Sequence, residues 1–429
     1  MTTPTQPPNT PSPAAPKVSK GFGFALHGSR GDIQPAIAVV AELARRGHRV
    51  LVAVPENLVD AVARTGVRTL TIGPDTDALV RSPLIREHLR SRDPRIRFRA
   101  LKDIAAFGAA QSEATTVQIA DDVDVLVGAP LAQERIAAIA ESRDIAFTAL
   151  HYCPLRPNSA VSPTGAAWPS WVRRGAWSAA DRLYRLTVAD AENDLRRRLG
   201  LPLATGPLGN RMRAAGRPEL QAYDAHLFPG LADEWGPQRP MTGFLVPDAD
   251  TRSALNGHRD DATDAAIEWA DHDEPPVYVG FGSMVVPRDR LHAIIGWLTA
   301  RGHRVLAHSE HDVAGPGVRR LPGPVDHEAL LPHCRGAVHH GGAGTTGAAL
   351  RAGIPSVIGW FSADQPLWAA TLGRVGAGHG TPLATLTDDD LAVLDDPAAQ
   401  ELATRVAGTL TPPLAAAADA ADRLVALAR

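Results

Sequence analysis

Apolar positions along the chain follow two alternating rhythms. Short runs such as Val50, Leu51, Val52 and Val54 suit strands buried on both faces. Between such runs lie stretches with three-and-four spacing. Ile37, Val40, Ala41 and Ala44 share one face in this way and predict an amphipathic helix. Pro35 falls in the opening turn of that helix, where its missing N–H does no harm, and Gly47 marks its end. The same unit is written twice, over 23–56 and over 278–310. Each copy reads strand, Gly/Ser turn, helix, the shared string RGHRV, then strand. Further strands are predicted over 123–127, 145–150, 303–307, 335–339 and 355–360. Helices alternating with buried strands imply parallel sheets with right-handed crossovers. The predicted fold class is α/β, with two Rossmann-like doubly wound parallel-sheet domains facing an interdomain cleft.

The expected organisation is a disordered tail over 1–17 and a first domain over 18–230. A Pro/Gly/Asp-rich linker follows over 231–260, then a second domain over 261–412. A final Ala/Leu-rich helix over 413–429 is positioned to cross back. Ligands of such sheets bind outside the carboxyl ends of the strands, so a cleft between the domains suits a two-substrate reaction. Composition narrows the class of partner. Lys and Arg (44) nearly balance Asp and Glu (47), which argues against a nucleic-acid binder. The two cysteines, Cys153 and Cys334, stand far apart in unlike contexts, so neither a disulfide framework nor a structural zinc site is expected, and a reducing cytoplasm fits. No apolar run approaches the roughly 20 residues of a membrane span, and the tail lacks the apolar core of a signal peptide.

The densest chemistry lies in RGAVHHGGAGTTGAALRAGIPSVIGWFSADQP, residues 335–366. A strand ends at His339 and His340. Gly341, Gly342 and Gly344 then let the backbone approach a ligand, and Thr345 and Thr346 open a helix. Free N–H groups, the helix dipole, Thr hydroxyls and a His N–H suit a diphosphate. Gly342, Gly344 and Gly347 also satisfy a dinucleotide-binding fingerprint, with Asp364 near the place of a ribose-binding acid. That fingerprint normally follows the first strand of its domain, however, and here about three strands precede it.

The strings HHGGAGTT, RAGIP and ADQP, together with the N-terminal GSRGDIQP, resemble the signatures of family 1 glycosyltransferases of GT-B architecture. The likeness is to bacterial natural-product (antibiotic) glycosyltransferases and sterol 3-β-glucosyltransferases. It spans about residues 20 to 380 and is weak over 80–225. The resemblance implies inverting transfer of a hexose or deoxyhexose from a UDP- or dTDP-sugar to a hydroxyl of a small apolar acceptor, such as a polyketide, another natural product or a sterol-like molecule. It implies that His340 and the backbone of Gly342, Gly344 and Thr345 hold the diphosphate, with Ser283 touching it. Val325 would bracket the nucleobase through its backbone, and Asp364 and Gln365 would bind the sugar hydroxyls. Asp32, at the opening of the first helix, would be the general base. An N-cap aspartate is the plainer use of that position, and one residue can serve both roles. The helix N-terminus is expected to lower its pKa. His27 is the second candidate for the base, and Arg30 is expected to order the loop by pairing with a carboxylate.

Acceptor contacts are expected from the first domain, with His151, Tyr152 and Trp168 as candidates; Trp171 and Trp177 read as packing residues. The basic stretch 81–102 reads as a solvated lid helix, with an acidic acceptor or a membrane surface as the competing readings. His327 and His333 read as surface or loop histidines, and His339 as a strand end. No metal, no cofactor beyond the nucleotide sugar as co-substrate, no nucleic-acid partner and no membrane association are expected. A nucleotide-sugar epimerase of the same architecture and a catalytically inactive nucleotide-sugar-binding partner protein are the alternative functions.

Overall fold

A computed structural model describes residues 19–88, 91, 93–257, 260–321, 323 and 325–428. The tail expected over 1–17 lies outside the described residues. The first sheet comprises β1 (Gly21–Ala25), β2 (Arg49–Pro55), β3 (Arg68–Gly73), β4 (Val125–Gly128), β5 (Ala146–His151) and β6 (Glu219–Gln221). The second comprises β7 (Val277–Gly280), β8 (Val305–His308), β9 (Val318–Leu321), β10 (Gly336–His339), β11 (Ser356–Trp360) and β12 (Gly378–Pro382). All ladders within both sheets are parallel. The strand orders are β3-β2-β1-β4-β5-β6 and β9-β8-β7-β10-β11-β12, the same winding repeated. In each sheet the order reverses beside the first strand, so crevices open at the carboxyl ends of β1/β4 and β7/β10.

The helices that matter here are α1 (Arg30–Arg45), α2 (Pro94–Ala106), α3 (Gln133–Ser142), α4 (Ser170–Arg198), α5 (Ala343–Ala352), α6 (Gln365–Val375) and α7 (Pro413–Leu427). The face predicted for α1 is buried at Ile37 and Val40, which are inaccessible to solvent, but not at its C-terminal end, where Ala41 is half-buried and Ala44 exposed. Ala416, Ala420, Ala421 and Leu424 of α7 are likewise inaccessible and pack in the same core as α1. Thus the last helix of the chain returns to the first domain, and Arg46 ties the two helices through Asp422 and the carbonyl of Ala418.

Residues 231–242, read from composition as linker, pack on the first domain. Thr242 N donates to Gln221 O (2.9 Å), and Trp235 Nε1 donates to Pro157 O (3.1 Å). The helix Ala249–Asn256 bridges the domains. Arg64 of the first domain donates to its last carbonyls, at Ala254 (2.9 Å) and Leu255 (2.9 Å), while its own Arg252 pairs with Asp326 of the second domain (2.8 Å). A mainly aromatic cluster joins the two halves. Trp368 of α6 lies against Tyr223, Phe228 and Phe244, with ring centroids at 6.5, 5.7 and 5.7 Å. Such rings bury a large area and fix each other's orientation, which sets how the second crevice faces the first.

Candidate functional site

A cavity of about 1070 Å³ lies between the crevices and draws its walls from both domains. His27, Asp32, Tyr152, Ser283, Val325, His340, Gly342, Gly344, Thr345, Asp364 and Gln365, all singled out in the sequence, line it. His151 and Trp168 do not.

On the first-domain wall, the chain leaves β1 through Gly28 at φ +111°, a left-handed conformation that suits glycine. A Cβ there would stand 2.4 Å from Asp32 Oδ2, so the carboxylate occupies the space that glycine leaves. Asp32 Oδ2 accepts from Ser29 N (2.7 Å) and Ser29 Oγ (2.9 Å), closing the first turn of α1. The expected N-cap role falls to Ser29 instead: Asp32 stands at the third helical position and closes the capping box with one oxygen. Among the described residues Oδ1 has no partner. The expectation of a lowered pKa is overturned: burial raises it, against the two Ser29 hydrogen bonds. His27 Nε2 lies 2.8 Å from Ser112 Oγ, and its buried Nδ1 has no partner among the described residues. Burial and the nearby Arg135 push the imidazole down to about 3, so it is neutral at physiological pH. Arg30 donates to the amide oxygens of Gln34 (3.2 Å) and Asn256, which helps to order the loop.

The second-domain wall is built from the loops after β7 and β10. Gly342 caps α5, and the helix points its free N–H groups at the cavity. A Cβ on Gly342 would lie 2.6 Å from His340 Nε2, and one on Gly282 would lie 3.0 Å from His340 Cε1. The imidazole is thus held between two glycine turns. Burial pushes it down to about 4, and its Nδ1 has no partner among the described residues. A neutral ring can still donate one N–H to a phosphate oxygen. Of the two threonines, Thr345 lines the cavity, whereas buried Thr346 donates back to Gly342 O (2.9 Å) and serves its own helix. His339 ends its strand, with Nδ1 accepting from Gly341 N (3.1 Å). His327 is not a surface residue: it lines the cavity with Nε2 2.8 Å from Tyr278 Oη, and burial pushes it down to about 3. His333 pairs with Asp271 at 2.7 Å.

Asp364 and Gln365 open α6 just after Ala363, which holds φ +60°. Asp364 Oδ2 accepts from Trp368 Nε1 (3.2 Å), so the interdomain aromatic cluster aims this carboxylate. Burial, with the charge of Asp32 across the cavity, raises its pKa to about 6. The amide oxygen of Gln365 is taken by Phe361 N (2.7 Å) and Ser362 N (3.2 Å), leaving mainly its NH₂ for a ligand. Among the described residues no three His, Cys, Asp or Glu side chains converge as metal ligands, and no helix is long and apolar enough to cross a membrane.

The acceptor candidates divide by strand alternation. His151 is the last residue of β5 and is fully buried, with Nδ1 3.3 Å from Gln221 Nε2 on the neighbouring strand. Its successor Tyr152 reaches the cavity, with Oη buried, without a partner among the described residues and in the field of Asp32. Trp168 lies outside the cavity; its carbonyl accepts from Arg173 Nε (2.6 Å). Trp177 packs as expected, but Trp171 is 77% exposed. The sequence reading missed the apolar lobe made by Leu101 and Ile104 of α2, Phe107 just after it, and Val188 and Leu195 of α4. Leu101, Ile104 and Phe107 recur every third residue across the end of the basic stretch, and that spacing was the signal available. The basic Arg95, Arg97 and Arg99 of the same helix are exposed.

Comparison with known proteins agrees with this geometry. Residues 22–161 match the glycosyltransferase family 28 N-terminal domain, and residues 302–427 match the erythromycin biosynthesis protein CIII-like C-terminal domain. An uncharacterized glycosyltransferase of Mycobacterium tuberculosis is 36% identical over 95% of this chain and 99% of its own. The O-mycaminosyltylonolide 6-deoxyallosyltransferase of Streptomyces fradiae is 30% identical over 85% of this chain and 86% of its own. Among solved structures, the glycotransferase of kitacinnamycin superposes with a TM-score of 0.68 at 20% identity, over 96% of this chain and 100% of that one. The glycosyltransferase VinC in complex with DTDP gives 0.63 at 18% identity, over 95% and 99%.

Proposed function

Since the chain belongs to the antibiotic-type glycosyltransferases of GT-B fold, we propose that it moves a hexose or deoxyhexose from a UDP- or dTDP-sugar onto a hydroxyl of a small, largely apolar acceptor, with inversion. One observation carries the reading. The free Oδ1 side of Asp32 and the diphosphate-type turn of His340, Gly342 and Thr345 come from different domains and line one cavity. Inversion at the anomeric carbon is a single displacement. It needs a base for the acceptor proton, stabilisation of the departing diphosphate, and alignment.

In this reading Asp32 takes the acceptor proton, and its raised pKa makes it a stronger base than a solvated aspartate. The N–H groups of α5, the Thr345 hydroxyl and a His340 N–H receive the charge of the leaving group. The ionised Asp364 accepts from two sugar hydroxyls, and the Gln365 amide donates to a third. Tyr152 and the apolar lobe hold the acceptor against Asp32. The DTDP complex of VinC supports a thymidine or uridine diphosphate as leaving group. The apolar lobe favours transfer over epimerisation, which needs no acceptor.

Asp32→Asn keeps the shape and removes the basicity. It should still bind UDP or dTDP, seen as a thermal shift, and lose roughly 10²–10⁴-fold in transfer. Transfer within a few-fold of the parent would sink the base assignment. Absence of any nucleotide-induced shift in both proteins would sink the donor site.

A further inference from the structure

The acceptor lobe is apolar on most sides but has a built polar end. Ala132, at φ +63°, caps α3 and turns its first residues toward the cavity. Holding a non-glycine residue there is strained, and the surrounding structure must offset that strain. The turn delivers Glu134, which lines the cavity and is only 7% exposed. A buried carboxyl is costly unless hydrogen-bonded.

The neighbouring charges are already matched with one another. Arg156 donates to Glu219 (2.6 Å) and Gln133 (3.0 Å). Arg135 faces Glu113 (3.6 Å) and donates to Ala105 O (3.3 Å). Glu192 is paired with Arg185 and Arg211. Among the described residues, the side-chain hydrogen bond left to Glu134 is a long one from Tyr184 Oη (3.4 Å), which also lines the cavity. With its own backbone N–H as the other donor to the carboxylate, Glu134 keeps capacity to accept a further hydrogen bond from the lobe.

Resting on the transferase reading, we propose that Glu134 and Tyr184 form a second polar anchor for the acceptor. The acceptor class is then an apolar body carrying, besides the hydroxyl that reacts, a second group with an N–H or O–H to donate. Glu134 accepts that proton in a hydrogen bond, and Tyr184 orients the carboxyl. Acceptors lacking the second group displace cavity water from Glu134 without replacing its hydrogen bond and bind more weakly.

The test uses three probes with the full chain in calorimetry at pH 7: 2-naphthol, 2,6-dihydroxynaphthalene and 6-(aminomethyl)-2-naphthol. The diol and the amine should each bind about tenfold more tightly than 2-naphthol, because hydrogen bonds to a carboxylate are among the stronger ones. A gain with both arms assigns any donor group to the site; a gain confined to the amine assigns a basic one. Glu134→Gln should shrink both gains, the amine's most, and Glu134→Leu should abolish them. Tyr184→Phe should reduce them severalfold. An unchanged thermal shift with UDP or dTDP shows that each variant is folded. Equal affinity for the three probes, no binding of any, or gains unaltered by both Glu134 substitutions overturns the proposal. Nucleotide release scores transfer separately. Preference without transfer keeps this anchor and removes the transferase reading, while transfer without preference does the reverse.

Discussion

Replacing Asp364 by Asn tests whether the second-domain carboxylate is enclosed opposite Asp32 as the cavity requires. Its pKa rises from 3.8 to about 6, mainly through burial and partly through Asp32. A raised folded-state pKa means that the folded chain holds the proton more tightly than the unfolded chain. Below about pH 4 both states are protonated and nothing is lost. As pH rises through about 6, the folded state must ionise the group in its enclosure, and that stability disappears. A rise of this size corresponds to about 3 kcal/mol. Cleft water reaching the partly buried residue screens some of this, so about 3 kcal/mol is an upper bound. The amide of the Asp364→Asn variant does not titrate, and the titrations of groups remote from Asp364 are shared by the two proteins. The stability of the parent minus that of Asp364→Asn should therefore fall by up to about 3 kcal/mol between pH 4 and pH 8. In melting temperature that is roughly 3–6 °C. Urea or thermal unfolding in steps of half a pH unit reads it. Repeating the comparison in an Asp32→Asn background should give a smaller fall, since the opposing charge is gone. A difference that stays flat with pH would refute the enclosure of Asp364 and its coupling to Asp32.

If Asp364 binds sugar hydroxyls as a carboxylate, kcat/KM should fall as pH drops through about 6; a profile flat to pH 5 speaks against that role. Gly342→Ala suits its backbone, at φ −65°, but puts a Cβ on the His340 ring, so it should weaken UDP or dTDP binding about five- to hundredfold in calorimetry while leaving the melting temperature of the free protein nearly unchanged. Leu424→Ala should cost about 2–5 kcal/mol in urea unfolding, because its side chain is fully buried in the α1 core; a loss below about 0.5 kcal/mol would mean that α7 does not dock there.

Much of the molecule was legible without coordinates, for local reasons. A period of two or of 3.6 needs only neighbouring residues to be seen. The duplicated unit, the strand ending at His339, and the glycine turns at Gly28 and Gly342 therefore followed from the chain itself. The short strands β3, β6, β9 and β12 did not, since polar or glycine-rich segments such as Arg68–Gly73 and Gly378–Pro382 become strands by pairing with a sheet already formed. The residues of 231–242 looked like linker for the same reason: only their contacts with Gln221 and Pro157 attach them to the first domain.

The site divides along the same line. Residue type and spacing suit a glycine-rich turn to an anion, and the family resemblance adds the candidate roles of Asp32, His340, Gly342 and Asp364. Their electrostatic state was not legible there. The helix N-terminus alone predicts a lowered pKa for Asp32, and burial at the interface of two domains reverses the sign. His151 and Tyr152 are adjacent in sequence, yet one faces the sheet's interior and the other the cavity. Glu134 and Tyr184 stand 50 residues apart and meet only because α3 and α4 pack together. The sequence by itself determined the repeating fold and the reactive groups, because these depend on local pattern and functional-group chemistry. Tertiary structure decided protonation, side-chain direction and the shape of the acceptor lobe, because burial and distance exist only once remote segments share a boundary.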